Sequence, residues 1–249
     1  MRRVKLTLAY DGTAYLGFQV QPNGPTIQSV TEAALGRVLQ ESVKLRGAGR
    51  TDAGVHAREQ VADFADSGVR PLETILRGGN ALLPPDIRIL SAEEVPPSFD
   101  ARRHASGKEY RYFLYLDPVA SPFFFRHAWH IEKPLDRAAV REGLDHLVGE
   151  HDFTSFRGQG CTAKTTVRTI FRAEWGELSP ALHYISITGG GFLRHMVRNL
   201  VGTLVDIGKG KYPPERVREL FSLRDRSEAG PTAPARGLFL WKIAYRIHA

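Results

Sequence analysis

Residues 47–57 read Gly-Ala-Gly-Arg-Thr-Asp-Ala-Gly-Val-His-Ala and lie between two segments with the pattern of strands. An Asp-Ala-Gly run is typical of a turn, because Asp bonds its own backbone and Gly accepts a positive φ. Three glycines around Arg50 and Asp52 exceed what a turn needs, and such glycines commonly let the backbone approach a ligand. A dinucleotide-binding loop fits less well, since Asp52 stands where its third glycine belongs. We therefore place a functional carboxylate, Asp52, at the centre of the chain's organisation.

Outward from this loop, the first half of the chain has the order β-α-β-β-α-β. Apolar alternation predicts strands at 4–10, 43–47, 59–65 and 86–95. Helices are predicted from the N-cap Thr26 and from Pro71. This order is that of the ferredoxin-like split unit.

The second half repeats the order with longer insertions. Strands are predicted at 110–116, 127–131, 167–175, 182–188 and 237–245, with helices at 134–148, from 192 and at 214–221. We therefore predict an α+β fold of two ferredoxin-like halves that lie side by side, with joined antiparallel or mixed sheets and a cleft between them. The basic segment 99–108 predicts the boundary, with an N-terminal half of residues 1–104 and a C-terminal half of residues 105–249.

The amino-acid composition narrows the classes of ligand and partner that the chain is expected to bind. The formal charge is +7, with 26 Arg and 8 Lys, and arginine's planar fork suits phosphates and bases, although such a charge also serves solubility alone. Cys161 is the only cysteine, which excludes an internal disulfide framework and a thiolate zinc cluster. No histidine pair has His-Glu-x-x-His spacing, so we expect no metal. The absence of a membrane-length apolar run and of a signal peptide predicts a cytoplasmic protein without a membrane partner.

A second feature is the segment 189–202, in which apolar residues recur at helical spacing. Arg194 and Arg198 stand one turn apart on the opposite side, next to His195. The three glycines at 189–191 predict free backbone N–H groups at the helix start that could bind a phosphate. A solvated polar face on an amphipathic helix explains the same pattern and stays open.

A third feature is the predicted strand 108–115, in which Arg111 stands between Tyr110 and Tyr112 and further aromatic residues follow. Tyr110 and Tyr112 share one face of it, and rings interleaved with arginine suit base stacking. Core packing is the commoner role of strand tyrosines and stays open. The segment 152–157 adds Arg157 beside two phenylalanines that we expect in the core.

These features together resemble the TruA family of tRNA pseudouridine synthases. The segments that carry the resemblance are 47–56, 108–112, 152–156, 192–202 and 233–238, which match nearly end to end and in the family's order. The resemblance implies isomerisation of uridine to pseudouridine at tRNA positions 38, 39 and 40, on the 3′ side of the anticodon arm. It also implies a homodimer that uses tRNA as its partner and needs no metal and no nucleotide or other cofactor.

By the same resemblance, Asp52 is the catalytic nucleophile and Arg198 keeps it ionised. Tyr110 stacks on the uracil, and Arg50 displaces the target base. Other residues are expected as RNA contacts: His56, Arg58, Lys108, Arg111, Arg157, Arg194 and His195. Attack at C1′, attack on the uracil ring and a glycal route all use one carboxylate and stay open. Two further functions also remain at this point, a non-catalytic RNA-binding module and a nucleotide-dependent oxidoreductase.

Overall fold

A computed structural model describes residues 1–245 of the chain. The described chain divides into two compact units, of which unit 1 comprises Met1–Ser106 and residues 239–245, and unit 2 comprises Gly107–Leu238. The elements in order are β1 Arg2–Tyr10, α1 Ile27–Leu39, β2 Arg46–Gly47, β3 His56–Asp66, α2 Leu72–Leu82, β4 Ile87–Val95, β5 Ala105–Leu116, β6 Trp129–Ile131, α3 Arg137–Asp145, β7 Gly149–Asp152, β8 Val167–Glu177, β9 Leu182–Gly189, α4 Met196–Gly208, α5 Arg216–Leu223 and β10 Leu238–Tyr245.

Unit 1 has the β-α-β-β-α-β order that the sequence predicts. Strand β1 lies between β3 and β4 and is antiparallel to both, and the short β2 pairs with β3. Strand β10 adds to the other edge of β3 in parallel, with Phe239 opposite His56. The division after residue 104 assigned this last strand to the second half, whereas its pairing with β3 makes it part of unit 1.

Local sequence explains the elements of unit 1. The apolar residues of β1 alternate, and Val4, Leu6 and Leu8 are fully buried. Helix α1 begins at the predicted cap, where Thr26 Oγ1 accepts a hydrogen bond from Ser29 N and Ser29 Oγ accepts one from Thr26 N. The core of this unit therefore lies between helices with capped or proline-started ends and one face of the sheet.

Unit 2 contains an antiparallel sheet in the order β5-β9-β8-β7, with β6 parallel to β5. Antiparallel sheets combined with helices in both units confirm the predicted α+β class. Helix α3 is shorter than predicted, because Gly149 opens β7 with φ 116 instead of ending the helix. None of the helices within residues 1–245 combines the length and the apolar character that a membrane crossing requires.

Helix α4 begins at Met196, four residues after the predicted start. His195 adopts the left-handed conformation with φ 59, so the chain before it is not helical. The glycines 189–191 thus do not form the helix N-terminus, and the predicted phosphate site at that end is wrong. The predicted apolar face is confirmed by the burial of Leu193, Met196, Val197, Leu200, Val201 and Leu204.

Candidate active site

The loop that carries Asp52 is fixed by side chains from two strands of unit 1. The Tyr10 hydroxyl lies 2.8 Å from Thr51 Oγ1, and Gln60 Nε2 donates to the Gly49 carbonyl oxygen at 2.9 Å. Tyr10, Gln60 and Thr51 are all buried. The main chain is therefore held on both sides of Arg50 and immediately before Asp52.

Two glycines of another loop make this arrangement possible. A Cβ at Gly12 would clash with the Val55 carbonyl oxygen, and one at Gly17 would lie 2.6 Å from the Thr51 carbonyl oxygen. Gly17 also has φ 90, which L side chains rarely adopt. The close approach predicted for glycines in this region thus includes two that the sequence analysis did not name.

Asp52 lies in a tight turn at the tip of the loop. Its carbonyl oxygen accepts a hydrogen bond from Val55 N at 3.1 Å, and Gly54 completes the turn with φ 75. The residue is partly exposed. A partly exposed acidic residue, on a backbone held by buried contacts, is the arrangement that a preorganised catalytic group requires.

His56 directly follows the loop, and its contacts are with other residues inside the protein. It is fully buried, its Nδ1 accepts a hydrogen bond from Gly12 N at 3.1 Å, and its ring stacks on Phe239 at 4.5 Å. Its Nδ1 also lies 3.1 Å from Asp11 Oδ1. These contacts connect the start of β3 to the glycine loop that supports Asp52, so His56 holds that loop in this conformation.

A basic cavity of about 440 Å³ adjoins the Asp52 loop within unit 1. Arg50 is exposed and lines it, as do Arg46, Arg102 and Arg103. From the sequence, Arg102 and Arg103 were expected only as part of the basic segment 99–108. Asp100 also lines the cavity and pairs with Arg46, so the other three guanidinium groups give the cavity its net positive charge, which favours a phosphate-rich ligand.

The wall of this cavity is built on Asp63, a fully buried acid that the sequence did not single out. Its Oδ2 accepts from Arg46 Nη2 at 2.6 Å and Arg3 Nη1 at 3.0 Å, and its Oδ1 accepts from Ala101 N at 2.8 Å. Asp63 therefore ties the basic segment near residue 101 to the sheet.

In unit 2, Tyr110 and Arg198 are each held by specific neighbours. The Tyr110 ring is 8% exposed and meets Phe192 edge-on at 5.0 Å between centroids. Arg198 Nε donates to the Ala233 carbonyl oxygen at 2.7 Å, and Ala233 N donates back to the Arg198 carbonyl oxygen. Both side chains are thus oriented by contacts within their own unit.

Tyr112 anchors the segment that carries Ala233. Its hydroxyl donates to the Pro234 carbonyl oxygen at 2.8 Å, and a Cβ at Gly237 would lie 2.6 Å from its ring. Burial raises the pKa of the Tyr112 phenol against the lowering effect of the Arg198 and Arg236 charges. The phenol therefore stays protonated and remains a donor.

The other expected RNA contacts have varied environments. Arg58 is exposed and lies over the Trp241 ring at 4.7 Å, and Arg111 lies over Tyr184 at 4.7 Å while it donates to Glu109. Arg157 and Arg194 are exposed, and Lys108 and His195 are partly buried. The phenylalanines 153 and 156 are fully buried, as expected.

Comparison with known proteins identifies the family. The family model described as tRNA pseudouridine synthase matches residues 7–102 and 144–246. The chain belongs to this family. It is 50% identical over 248 residues to tRNA pseudouridine synthase A of Pelobacter propionicus, which covers 98% of this chain and 100% of that protein. The tRNA pseudouridine synthase A of Geobacter sulfurreducens is 49% identical, and the match covers 98% of this chain and 100% of that protein. The protein of the same name from Myxococcus xanthus is 48% identical, and the match covers 99% of this chain and 93% of that protein.

As a member of the tRNA pseudouridine synthase family, the chain is an isomerase that converts uridine to pseudouridine in tRNA. Membership of this family excludes two functions that the sequence left open, a non-catalytic RNA-binding module and a nucleotide-dependent oxidoreductase. Sequence reasoning missed residues such as Gln60 and Asp63. These residues act through contacts with parts of the chain that are distant in sequence. Their only sequence signal was a polar residue at an inward position of a strand.

Proposed function

We propose that the protein isomerises uridines at positions 38, 39 and 40 of the tRNA anticodon arm with Asp52 as its nucleophile. The observation that carries this proposal is the Arg50-Thr51-Asp52 loop, in which buried contacts fix the backbone while Arg50 is exposed and Asp52 is partly exposed. The family resemblance of the Arg-Thr-Asp-Ala-Gly-Val-His run supports the choice of position.

The reaction rearranges one nucleotide without any net gain or loss of atoms. The bond from N1 to C1′ breaks, the uracil turns, and its C5 forms a bond to C1′ while the C5 proton leaves and N1 gains one. A single carboxylate can attack C1′ or the uracil ring, or can relay the proton along a glycal route. Because the balance requires no oxidant, phosphate or metal, we propose that the protein works without a cofactor or metal.

Tyr110 and Arg198 complete the proposed chemistry. Tyr110, whose plane Phe192 fixes, stacks on the uracil while the base turns. Arg198, held by the Ala233 carbonyl oxygen, supplies a positive charge that keeps Asp52 ionised. Arg50 occupies the place that the target base leaves in the stem.

Basic groups of both units are proposed as phosphate contacts. They are Arg58, Lys108, Arg111, Arg157, Arg194 and His195, and the cavity beside Arg50 adds Arg46, Arg102 and Arg103. His56 contributes to RNA binding only through the loop that it supports, since its ring is buried.

We further propose that the protein acts as a homodimer in the cytoplasm, where each tRNA contacts both subunits. An anticodon arm together with the rest of a tRNA is larger than one chain of this size can enclose. Sedimentation with and without tRNA tests the dimer, and a monomer with full activity would contradict it.

Pseudouridine mapping on unmodified tRNA transcripts tests the proposed sites. We expect modification at 38, 39 and 40, and none in a matched transcript with cytidine at these three positions. Modification confined to other uridines would refute the anticodon-arm specificity while leaving the family's isomerase activity intact. Activity in excess chelator tests the absence of a metal.

A further inference from the structure

Unit 2 contains a second cavity, of which the proposed function uses only Arg194 and His195, as phosphate contacts. Its volume is about 790 Å³, and three pieces of chain line it: residues 158–160, residues 194–195 and the segment 226–232 without Glu228. We call it the Arg226 cavity. Its size is within the range of small-ligand sites and exceeds what a lone phosphate fills.

The Arg226 cavity is electropositive. The residues that line it include Arg194 and Arg226 and no Asp or Glu. Arg226 donates to the carbonyl oxygens of Ala229 and Gly230 and to the side chains of Asn199 and Thr232, all of which are neutral. Burial lowers the pKa of Arg226, and among the described residues its guanidinium has no counterion. An anion in the cavity would supply one.

The loop opposite Arg226 is packed closely against the basic residues. A Cβ at Gly158 would lie 2.8 Å from the His195 ring, and one at Gly160 would lie 3.0 Å from Arg194 Nη1. Gly160 has φ 72, and His195 itself has φ 59, a conformation that non-glycine residues seldom adopt. Glycines that bring a backbone against two basic side chains are typical of an anion site.

We propose that the Arg226 cavity binds the phosphodiester backbone of the RNA substrate, with Arg194 donating to a phosphate. Arg226, whose Nη1 and Nη2 groups donate within the protein, attracts the phosphate by its charge. The guanidinium fork of Arg194 matches phosphate oxygens, while the hydroxyl groups of Ser227 and Thr232 donate to Asp225 and Asn199 and so fix the cavity wall. This inference rests on the proposed function, because it assigns a subsite for the same RNA.

The Arg226 cavity adjoins the segment of chain that holds Arg198 in place. Thr232 lines the cavity and directly precedes Ala233, whose carbonyl oxygen accepts from Arg198 Nε. Arg194 stands four residues before Arg198 in the same segment. Occupation of the cavity therefore stabilises the chain that positions Arg198, so that backbone binding and the catalytic charge are linked.

Cys161 provides a reporter for the test, since it is the only cysteine and directly follows residues 158–160, which line the Arg226 cavity. Its backbone N donates to the Gly158 carbonyl oxygen. Burial opposes ionisation of the thiol, but the N–H groups of Ala163 and Arg194 and the charges of Arg157 and Arg168 lower its pKa overall. Phosphates in the cavity weaken this positive field, so bound RNA should slow alkylation of the thiol.

The experiment measures the rate at which iodoacetamide alkylates Cys161 in the full-length protein, with an anticodon-arm RNA hairpin or with inorganic phosphate. We expect the hairpin to slow alkylation several-fold, and phosphate at the same concentration to have no effect. In Arg194→Gln, half-protection should need about tenfold more hairpin, since one charge-assisted contact is lost. Arg194 is exposed and its guanidinium makes no hydrogen bond with the described residues, so this change tests the cavity without removing an internal bond.

Arg141→Gln is the matched control, because it removes the same charge from an exposed position on α3 outside the cavity. It should leave half-protection at the wild-type concentration. Equal weakening in both variants, or no protection by the hairpin, would overturn the proposal. Protection by inorganic phosphate as strong as that by the hairpin would assign the cavity to free anions instead.

A kinetic measurement separates this inference from the proposed function. Arg194→Gln should raise KM for tRNA about tenfold with a far smaller change in kcat, and should reduce the slope of log affinity against log salt by about one. A wild-type protein that modifies no anticodon-arm uridine refutes the proposed specificity, while the alkylation result still decides whether the cavity binds RNA.

Discussion

The hydroxyl oxygen of Tyr10 lies 2.8 Å from Oγ1 of Thr51, the residue immediately before Asp52. Both side chains are buried, and Gln60 Nε2 lies 3.5 Å from the same hydroxyl. Burial raises the pKa of the Tyr10 phenol, so it stays neutral at physiological pH. The residue before Asp52 is thus held by uncharged groups, so the hydrogen bond between Tyr10 and Thr51 does not change as the pH varies around neutrality.

Tyr10→Phe should lower kcat several-fold with little change in KM for tRNA. The variant loses one buried hydrogen bond, worth about 1 kcal/mol, and with it the restraint on the backbone before Asp52. Tyr15→Phe is the matched control, because its hydroxyl donates to Asp86 Oδ1 at 2.6 Å and makes no hydrogen bond with the loop. An equal loss of kcat in both variants, measured by steady-state kinetics, would show that the Tyr10 contact has no special role.

Gly12→Ala should destabilise the protein and abolish activity. The added methyl group meets the Val55 carbonyl oxygen, a backbone atom that cannot move without displacing the Asp52 loop. Overpacking of this kind costs about 1–3 kcal/mol, or several degrees in the melting temperature. Gly190→Ala serves as the control, since the nearest atom to its Cβ, on Phe171, is 3.5 Å away. Calorimetry and an activity assay on both variants check the contrast, and an active Gly12→Ala protein would contradict it.

Asp100→Asn should reduce stability at pH 7 by about 0.5–1 kcal/mol. The backbone N–H groups of Arg103 and Arg102 and the charge of Arg46 hold the pKa of Asp100 below its usual value against the effect of burial. A carboxyl group with a lowered folded-state pKa stabilises the fold above its unfolded-state pKa, and this contribution is lost as pH falls through the folded-state value. The difference between variant and wild type in urea unfolding should therefore persist from pH 7 to about pH 4 and shrink between about pH 4 and pH 2. A difference that is constant over this range would mean that the charge of Asp100 contributes nothing.

Tyr110→Phe should retain substantial turnover, whereas Tyr110→Leu should lose it. A stacked aromatic face is worth about 1–3 kcal/mol per base, and Phe also preserves the edge contact with Phe192. Single-turnover rates of the two variants separate stacking from chemistry at the hydroxyl. If the Phe variant is as inactive as the Leu variant, the hydroxyl takes part in proton transfer and the stacking role is wrong.

Local patterns predicted much of the fold. The order of unit 1 followed from alternation in β1, from the Thr26 cap and from Pro71, each of which depends on residues close in sequence. The inward face of α4 was predicted because apolar residues recur at helical spacing. The burial of the phenylalanines 153 and 156 was predicted for the same kind of reason.

Features that depend on distant residues were not predicted. The pairing of β10 with β3 joins residues far apart in the chain, and no local pattern specifies it. The start of α4 was misplaced because the left-handed conformation of His195 has no signal in its residue type. Gln60, Asp63 and Arg226 support the candidate sites through contacts that the linear sequence does not display.

The central claim is that Asp52 performs the chemistry, and single-turnover assays with saturating Asp52→Asn protein test it most directly. Asn keeps the size and hydrogen-bonding capacity of Asp but cannot act as a nucleophile or base. We expect no pseudouridine in the tRNA, while tRNA affinity stays within a few-fold of wild type because phosphate contacts elsewhere dominate binding. Measurable isomerisation by this variant would contradict the account and assign the chemistry to another residue.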